Sequence, residues 1–415
     1  MHVVHLYDGH EKVHAGRGSV PGVVWNIARE TVRKGHRVTV VERQWDELPP
    51  TAEHEGVEFV RLNLRTGADE PWTRVPYEVA TDPLQFTRLV GDRINFARRA
   101  LSLLEYMDVD VLHVHLPFAA NVVVSVAPGF RDRMVFTAHL GELRLDILEG
   151  DQRGDGGEGP DVPSIVKAFS PDVYLAKRAS RTTVLNSAIA DVLVDRGVPA
   201  ESVRTVPNGV DTERFGDVDP AALERVRSTY DLGEKPTLLF VGTLMPRKGV
   251  TEFVRALDTV VNDYGRDVEV ILAGEPELDT GYVETVESLV EEAALGSAVS
   301  MPGFVPAADL PALYHAADLF VVPSLEEGFG MTAIEAMAAG TPVVGTRVGA
   351  LPDIIESGRT GTLADPGDVA GLADAIDDAL TGVDSPDSAV RTRANEYSWP
   401  SVAEEFTSIY DEVAP

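Results

Sequence analysis

Short runs rich in β-branched residues alternate with helical patterns along almost the whole chain, and this alternation constrains the fold more than any other feature. MHVVHLYD, RVTVVER, VEFVRLN, VDVLHVHL, RMVFTAHL and RTTVLN fill the first half, separated by segments such as PGVVWNIARETVRKG. PTLLFVGTL, VEVILAGE, AVSMPGFV, DLFVVPSL and TPVVGTRVG repeat the plan in the second half. Strands joined through a helix pair in parallel, because the crossover returns the chain to the starting edge of the sheet with the helix packed on its face. The expected fold class is therefore α/β, with two doubly wound halves. A chain of 415 residues is too long for one ordinary core and fits two domains of about equal size.

The boundary is expected at VPNGVDTERF, residues 206–215, where Pro207, Asn208 and Gly209 break the preceding strand and a polar stretch follows. That places the domains at 1–205 and 206–398. Residues 149–163, EGDQRGDGGEGPDVP, hold too little apolar surface to pack, and read equally as a surface linker or as a lid over a substrate. NEYSWPSVAEEFTSIYDEV, residues 395–413, is an amphipathic helix with Val402, Phe406, Ile409, Tyr410 and Val413 on one face, which must be buried on something.

Composition narrows the chemistry. With no cysteine there is no disulfide, thiolate nucleophile or cysteine-based zinc site, so chemistry falls to carboxylates, histidines, amides and bound ligands. No run approaches a membrane span, and MHVVHLYD reads as a strand instead of a leader, so a cytoplasmic location is expected. The net charge of −31 repels nucleic acid and anionic membrane at low salt.

PSLEEGFGMTAIEAMAAGTPVV, residues 323–344, sets Glu327 against a Gly-Phe-Gly turn, with Glu335 in the apolar stretch that follows. In open parallel sheets, ligands bind beyond the carboxyl ends of the strands, and DLFVVPSL is such a strand. Gly328 and Gly330 let the backbone approach a ligand closely. The next helix, expected to begin near Thr332, turns unpaired N–H groups and a positive dipole end toward an anion such as a diphosphate. Glu335 has a second reading, since Thr332-Ala-Ile-Glu335 fits a capping box. Glu327 fits no cap and is expected to bind a hydroxyl or stabilise a developing positive charge. VGTLMPRKGVTEFVRAL places Arg247 and Lys248 before Gly249 and a helix, where adjacent cations are positioned to neutralise a diphosphate leaving group.

With these stretches the second half resembles the donor domain of retaining, nucleotide-sugar-dependent glycosyltransferases of family 4, which have the GT-B fold. VGTL-MPRKG, LAGE, PGFVPAADLPALYHAADLFVVPS, EEGFGMTAIEAMAAGTPVVGTRVGALPDII and TGTLADPGD carry the likeness, and Glu327 to Glu335 matches the family's Glu-x7-Glu motif. The resemblance implies two Rossmann-like domains facing across a cleft, with the last helix, 399–415, crossing back to the first domain. It further implies that Glu327 holds the donor sugar beside its anomeric carbon and Glu335 the ribose hydroxyls. Lys248, with the N–H groups around Gly330, Met331 and Thr332, would take the diphosphate, Gly328 and Phe329 would belong to the same donor-binding loop, and Gly303, Phe304 and Val305 would flank the base. Where the family has Gly-Arg-Leu this chain has Gly242-Thr243-Leu244, so the usual diphosphate arginine is missing there and Arg247 is the nearest replacement. In the acceptor half, HAGRGSVPGVVWNIARETVRKGHRVTVV resembles the family's glycine loop, putting Gly18 near donor phosphate and acceptor. His139 stands at the family's acceptor-side histidine, whereas His113 and His115 read as structural.

The implied activity is transfer of a hexose from a nucleotide diphosphate sugar to an acceptor hydroxyl, with retention and without a metal or cofactor. Glu327, Lys248 and His139 are the candidate catalytic residues. A nucleotide-sugar 2-epimerase of the same fold and a non-catalytic nucleotide-sugar-binding protein are the alternatives. Expected partners are the nucleotide sugar and a glycan, lipid-linked or small-molecule acceptor, the lipid case bringing peripheral contact with the inner membrane face.

Of the 36 basic side chains only Lys12, Lys34, Lys167, Lys177, Lys235 and Lys248 are lysines, and an acidic, lysine-poor, cysteine-free chain suits a halophile's cytosol. There the Debye length falls to about 3 Å at 1 M salt and self-repulsion is screened. The expected outcome is a thermal midpoint that is highest in molar KCl; a maximum in dilute buffer would refute the assignment.

Overall fold

The computed structural model describes residues 1–16, 19–45, 47–64, 83–139, 170–274, 279–381 and 387–415. The chain divides into two compact units, Met1–Gly209 with Trp399–Pro415, and Val210–Ser398.

The first unit is built on an eight-stranded sheet in the order β3-β4-β2-β1-β5-β6-β7-β8. Its strands are β1 (His2–Leu6), β2 (Arg37–Arg43), β3 (Thr51–His54), β4 (Val57–Leu62), β5 (Val111–Val114), β6 (Met134–Thr137), β7 (Arg181–Val184) and β8 (Val203–Thr205). Every pairing is parallel except β3 with β4. The antiparallel edge departs from the parallel sheet expected: TAEH is polar and reads as loop, but the turn at Glu55 and Gly56, both at positive φ (47° and 81°), folds it back as a hairpin. One face of the sheet is covered by α1 (Ser19–Arg33) and the C-terminal helix Trp399–Val413, whose Val402, Phe406, Ile409, Tyr410 and Val413 all join Val24 and Ile27 in one core cluster. The other face carries α2 (Pro83–Leu104) and α3 (Pro117–Val126), packed through Phe96, Ala100 and Val123. With both faces covered, β1 and β5 are buried along their whole length and β2 along all but its first residue.

The second unit holds a fully parallel six-stranded sheet in the order β11-β10-β9-β12-β13-β14. These strands are β9 (Thr237–Val241), β10 (Glu269–Ala273), β11 (Val299–Gly303), β12 (Leu319–Val322), β13 (Val343–Thr346) and β14 (Gly361–Ala364). Three of its helices matter below: α4 (Val250–Asp258), α5 (Leu310–Ala316) and α6 (Met331–Ala339). No helix among the described residues is long and apolar enough to cross a membrane.

In each sheet the chain reverses its direction of travel beside one strand. β1 lies between β2 and β5, and β9 between β10 and β12, so the loops leaving these neighbours part to opposite faces. In the second unit the loop after β9 meets the end of β12 at backbone contact. Leu325 N and Glu326 N both donate to Arg247 O, at 2.8 and 3.2 Å. Gly249 sits at φ +64°, where a Cβ would fall 1.9 Å from Pro323 O. Gly249→Ala therefore meets both a left-handed backbone and a clash with an immovable carbonyl, and is expected to cost about 2 kcal/mol or more in urea unfolding of the second unit.

Candidate active site

Two loops converge at the carboxyl ends of β9 and β12. Lys248 closes the single 3-10 turn Pro246–Lys248, and its Nζ lies 2.5 Å from Glu327 Oε2. Their side chains are only 16% and 12% exposed, so the pair is largely out of water yet reachable. Ser324, fully buried, directs its hydroxyl to the same carboxylate oxygen at 3.4 Å. Behind the loop, Gly349 takes φ +54°, and a Cβ there would stand 1.8 Å from Glu327 O. The backbone of Glu327 is thus braced by a segment that tolerates no side chain.

The loop ends at Gly330, at φ +95°, which caps α6 without any side-chain cap. Gly330 O accepts from Ala333 N and Ile334 N at 3.0 and 3.3 Å, so the outermost amides of the helix belong to Met331 and Thr332. Orphan donors at the positive end of a helix beside a lysine form a site that favours an anion. Phe329, 4% exposed, turns inward toward Tyr397 with ring centroids 6.2 Å apart, and anchors the loop from below. Its contribution to a ligand is through its backbone.

Glu335 stands one turn further along α6. Its Oε2 accepts from Tyr314 Oη on α5 at 2.9 Å. The capping-box reading of Thr332 and Glu335 is overturned, because Gly330 is the cap and the glutamate reaches across to α5 instead of back to the helix start. The helix begins at Met331, one residue ahead of the expected Thr332. Along the same edge of the sheet, Gly274 N donates to Gly303 O at 3.0 Å, and Gly303 itself is at φ +76°. Beyond it Phe304 is 68% exposed while Val305 is buried, so of these three residues Phe304 is the one with a side chain on offer. Thr243 and Arg247 are both partly exposed in the β9 loop.

In the first unit, His139 lies two residues past β6, and its Nε2 is 3.2 Å from His115 Nδ1. Gly18 and the 149–163 segment lie outside the described residues. The second unit therefore gathers Arg247, Lys248, Glu327, Gly328, Gly330, Met331 and Thr332 at one place, with Glu335 and Phe304 on the same carboxyl side of the sheet.

Comparison with known proteins follows this division. Residues 225–398 match the model described as glycosyl transferases group 1, and residues 21–214 that of glycosyltransferase family 4. A GDP-mannose-dependent alpha-(1-6)-phosphatidylinositol monomannoside mannosyltransferase of Mycolicibacterium smegmatis is 34% identical over 373 residues, covering 88% of this chain and 86% of the relative. The chain belongs to the family 4, group 1 glycosyltransferases. A D-inositol 3-phosphate glycosyltransferase of Corynebacterium glutamicum is 28% identical to this glycosyltransferase over 409 residues, covering 95% of this chain and 92% of the relative. Among solved structures, a sucrose-phosphate synthase of Thermosynechococcus elongatus superposes with a TM-score of 0.76 at 22% identity, covering 100% of this chain and 99% of that one. Anabaena HepE, in complex with UDP and glucose, gives a TM-score of 0.68 at 19% identity, with 99% of each chain covered. The fold is GT-B.

Three residues that build this part of the glycosyltransferase's second unit escape a reading of the sequence. Tyr314 reads as one more apolar position in LPALYHA, yet it is the partner of Glu335. Ser324 acts on Glu327 from within the same loop and Gly349 from the loop after β13, and the one signal they leave is a small residue in the loop that follows a strand. Burial raises the Glu335 carboxyl to about 7, against the opposing pull of the Tyr314 hydrogen bond and the Arg214 charge. The unfolded chain would ionise near the ordinary 4.5, so the folded state binds the proton more tightly. Stability from this group is whole below about pH 4.5 and is lost as pH rises through about 7. Glu335→Gln keeps an acceptor for Tyr314 without the charge, so it should stabilise the second unit at pH 8 by roughly 1–3 kcal/mol. At pH 4.5 it should make little difference, and calorimetric unfolding at the two pH values checks both.

Proposed function

We propose that this glycosyltransferase moves a hexosyl unit from a nucleoside diphosphate sugar to an acceptor hydroxyl with retention at the anomeric carbon, and that the leaving group needs no metal. The observation that carries the reading is the Lys248–Glu327 pair, held at 2.5 Å beside the first turn of α6. A diphosphate against that turn meets the Met331 and Thr332 amides and the Lys248 ammonium. Together with Arg247 they supply the positive potential that a departing phosphate requires. Glu327, on the other side of the lysine, is placed to hold sugar hydroxyls and to face the positive charge of an oxocarbenium-like transition state. With Glu327 engaged by Lys248 and the sugar hydroxyls, the acceptor attacks on the leaving-group face and the departing phosphate takes its proton. Glu335 would receive the ribose hydroxyls and Phe304 the base.

The donor is a co-substrate, not a resident cofactor. The M. smegmatis relative is named for its dependence on GDP-mannose and the Anabaena structure is a complex with UDP, so both nucleotides belong in the first donor panel. Both curated relatives also carry an inositol-bearing acceptor in their names, which makes inositol phosphates and inositol lipids the first acceptors to try.

Glu327→Ala is expected to lower kcat at least about 10²-fold while nucleoside diphosphate binding stays within a few-fold, whereas Lys248→Ala weakens both. Assays belong in molar KCl, with nucleotide release and product anomer followed by NMR, in the presence and absence of EDTA. Full activity in the Glu327 variant overturns its role, inversion overturns the stereochemistry, and loss of transfer in EDTA overturns the metal-free leaving group. A donor isomerised without acceptor would make the chain an epimerase.

A further inference from the structure

The first unit buries a cluster of histidines that the reaction described so far does not use. His5 on β1 and His113 on β5 are register partners, and His115 follows two residues on, so all three rings share one face of the sheet. All are at most 1% exposed. His139 Nε2 lies 3.2 Å from His115 Nδ1, and His115 Nε2 lies 2.9 Å from His5 Nδ1. The rings therefore form a file from the strand end inward, His139 to His115 to His5. At its inner end His5 Nε2 is buried without a hydrogen-bond partner among the described residues.

Three imidazoles whose ring nitrogens approach within 4.8 Å could also suggest a metal site. The bonds already made speak against it. His113 spends Nδ1 on the Tyr410 hydroxyl and Nε2 on Thr137 Oγ1, each at 2.7 Å, and His115 spends both nitrogens on its neighbours in the file. A metal would have to break these bonds and leave their partners orphaned.

We propose that His115 and His5 are positioning residues that hold the ring of His139 and assign its proton, so that His139 serves as a neutral hydrogen-bonding group and not as a general base. This rests on the reading of His139 as the acceptor-side histidine. A neutral imidazole has one N–H and one bare nitrogen, so a file of them must donate in a single sense. Because each link joins an Nε2 to an Nδ1, all three rings then carry the proton on the same-named nitrogen. A proton passed inward from His139 along the file finds no further acceptor beyond His5, whose Nε2 has no partner among the described residues. Burial supports the neutral form, lowering His5 to about 3 and His115 well below its ordinary value.

The test is long-range 15N–1H correlation of the full chain labelled at histidine, with resonances assigned through single variants. The expected result at pH 7 is one shared tautomer at His5, His115 and His139. Mixed tautomers, an imidazolium among the three, or stoichiometric metal in the purified protein overturns the proposal. Kinetics supply the second readout. His115→Phe, which keeps the ring but loses the bond, should lower kcat about tenfold with donor KM little changed. His115→Asn, whose amide can donate or accept where Nδ1 did, should recover most of that loss. A merely structural role would rank the two variants the other way. His139→Ala tests the underlying reading separately: unchanged transfer there removes the acceptor-side role, whatever the tautomers are.

Discussion

The backbone contact at the point where β9 and β12 part sets the geometry of the second unit's candidate site. Loops that leave adjacent parallel strands toward opposite faces would ordinarily diverge, but here the carbonyl of Arg247 takes two amides from the opposing loop. Gly249 and Gly349 let the surrounding backbone close to distances that no side chain would allow. With the two loops locked, Lys248 and Glu327 are forced to face each other while mostly screened from water. A charge pair in such a place is costly to desolvate and gains its worth by being ready for a ligand of either sign on either side. The first turn of α6 adds donors to the same spot.

The two units handle buried polar groups differently. In the second unit a lysine and a glutamate pair while remaining partly exposed, so water or a ligand can still reach them. In the first, several polar residues near the strand ends pair with one another, while His5 Nε2 stays buried without a partner among the described residues. Arg61 and Glu42 pair at 2.8 Å with both side chains 1% exposed, and the histidines pair with one another or with Tyr410 and Thr137. A network of that kind fixes side-chain positions, because any one member left without its partner would bear the full desolvation cost. The histidine file is the part of this network that reaches a strand end, so rigidity built inside the sheet is delivered to His139.

The parallel sheets, the amphipathic last helix and the glutamate spacing were legible because each rests on a local rule. Valine-rich runs with helical spacers admit few topologies, a stripe at helical spacing must be buried, and a glycine turn between a strand and a helix presents backbone donors that favour an anion. The polar edge strand Thr51–His54 was not legible, since its pairing is imposed by the turn at Glu55 and Gly56 instead of by its own composition. RVTVVER likewise gives no hint that its terminal Glu42 and Arg43 are both buried, because the ions that permit it come from β4 and α2.

By itself, then, the sequence determined the fold class, the family likeness and the residue types proposed to meet a diphosphate sugar, all of which depend on order along the chain. Tertiary structure alone decided which of those residues touch. Lys248 finds Glu327, Tyr314 finds Glu335 in place of a helix cap, and His139 is tied to His5 through His115. Each of these pairings joins separate elements of the fold, and its sign, partner and protonation follow from burial and distance, quantities that exist only once the sheets have formed.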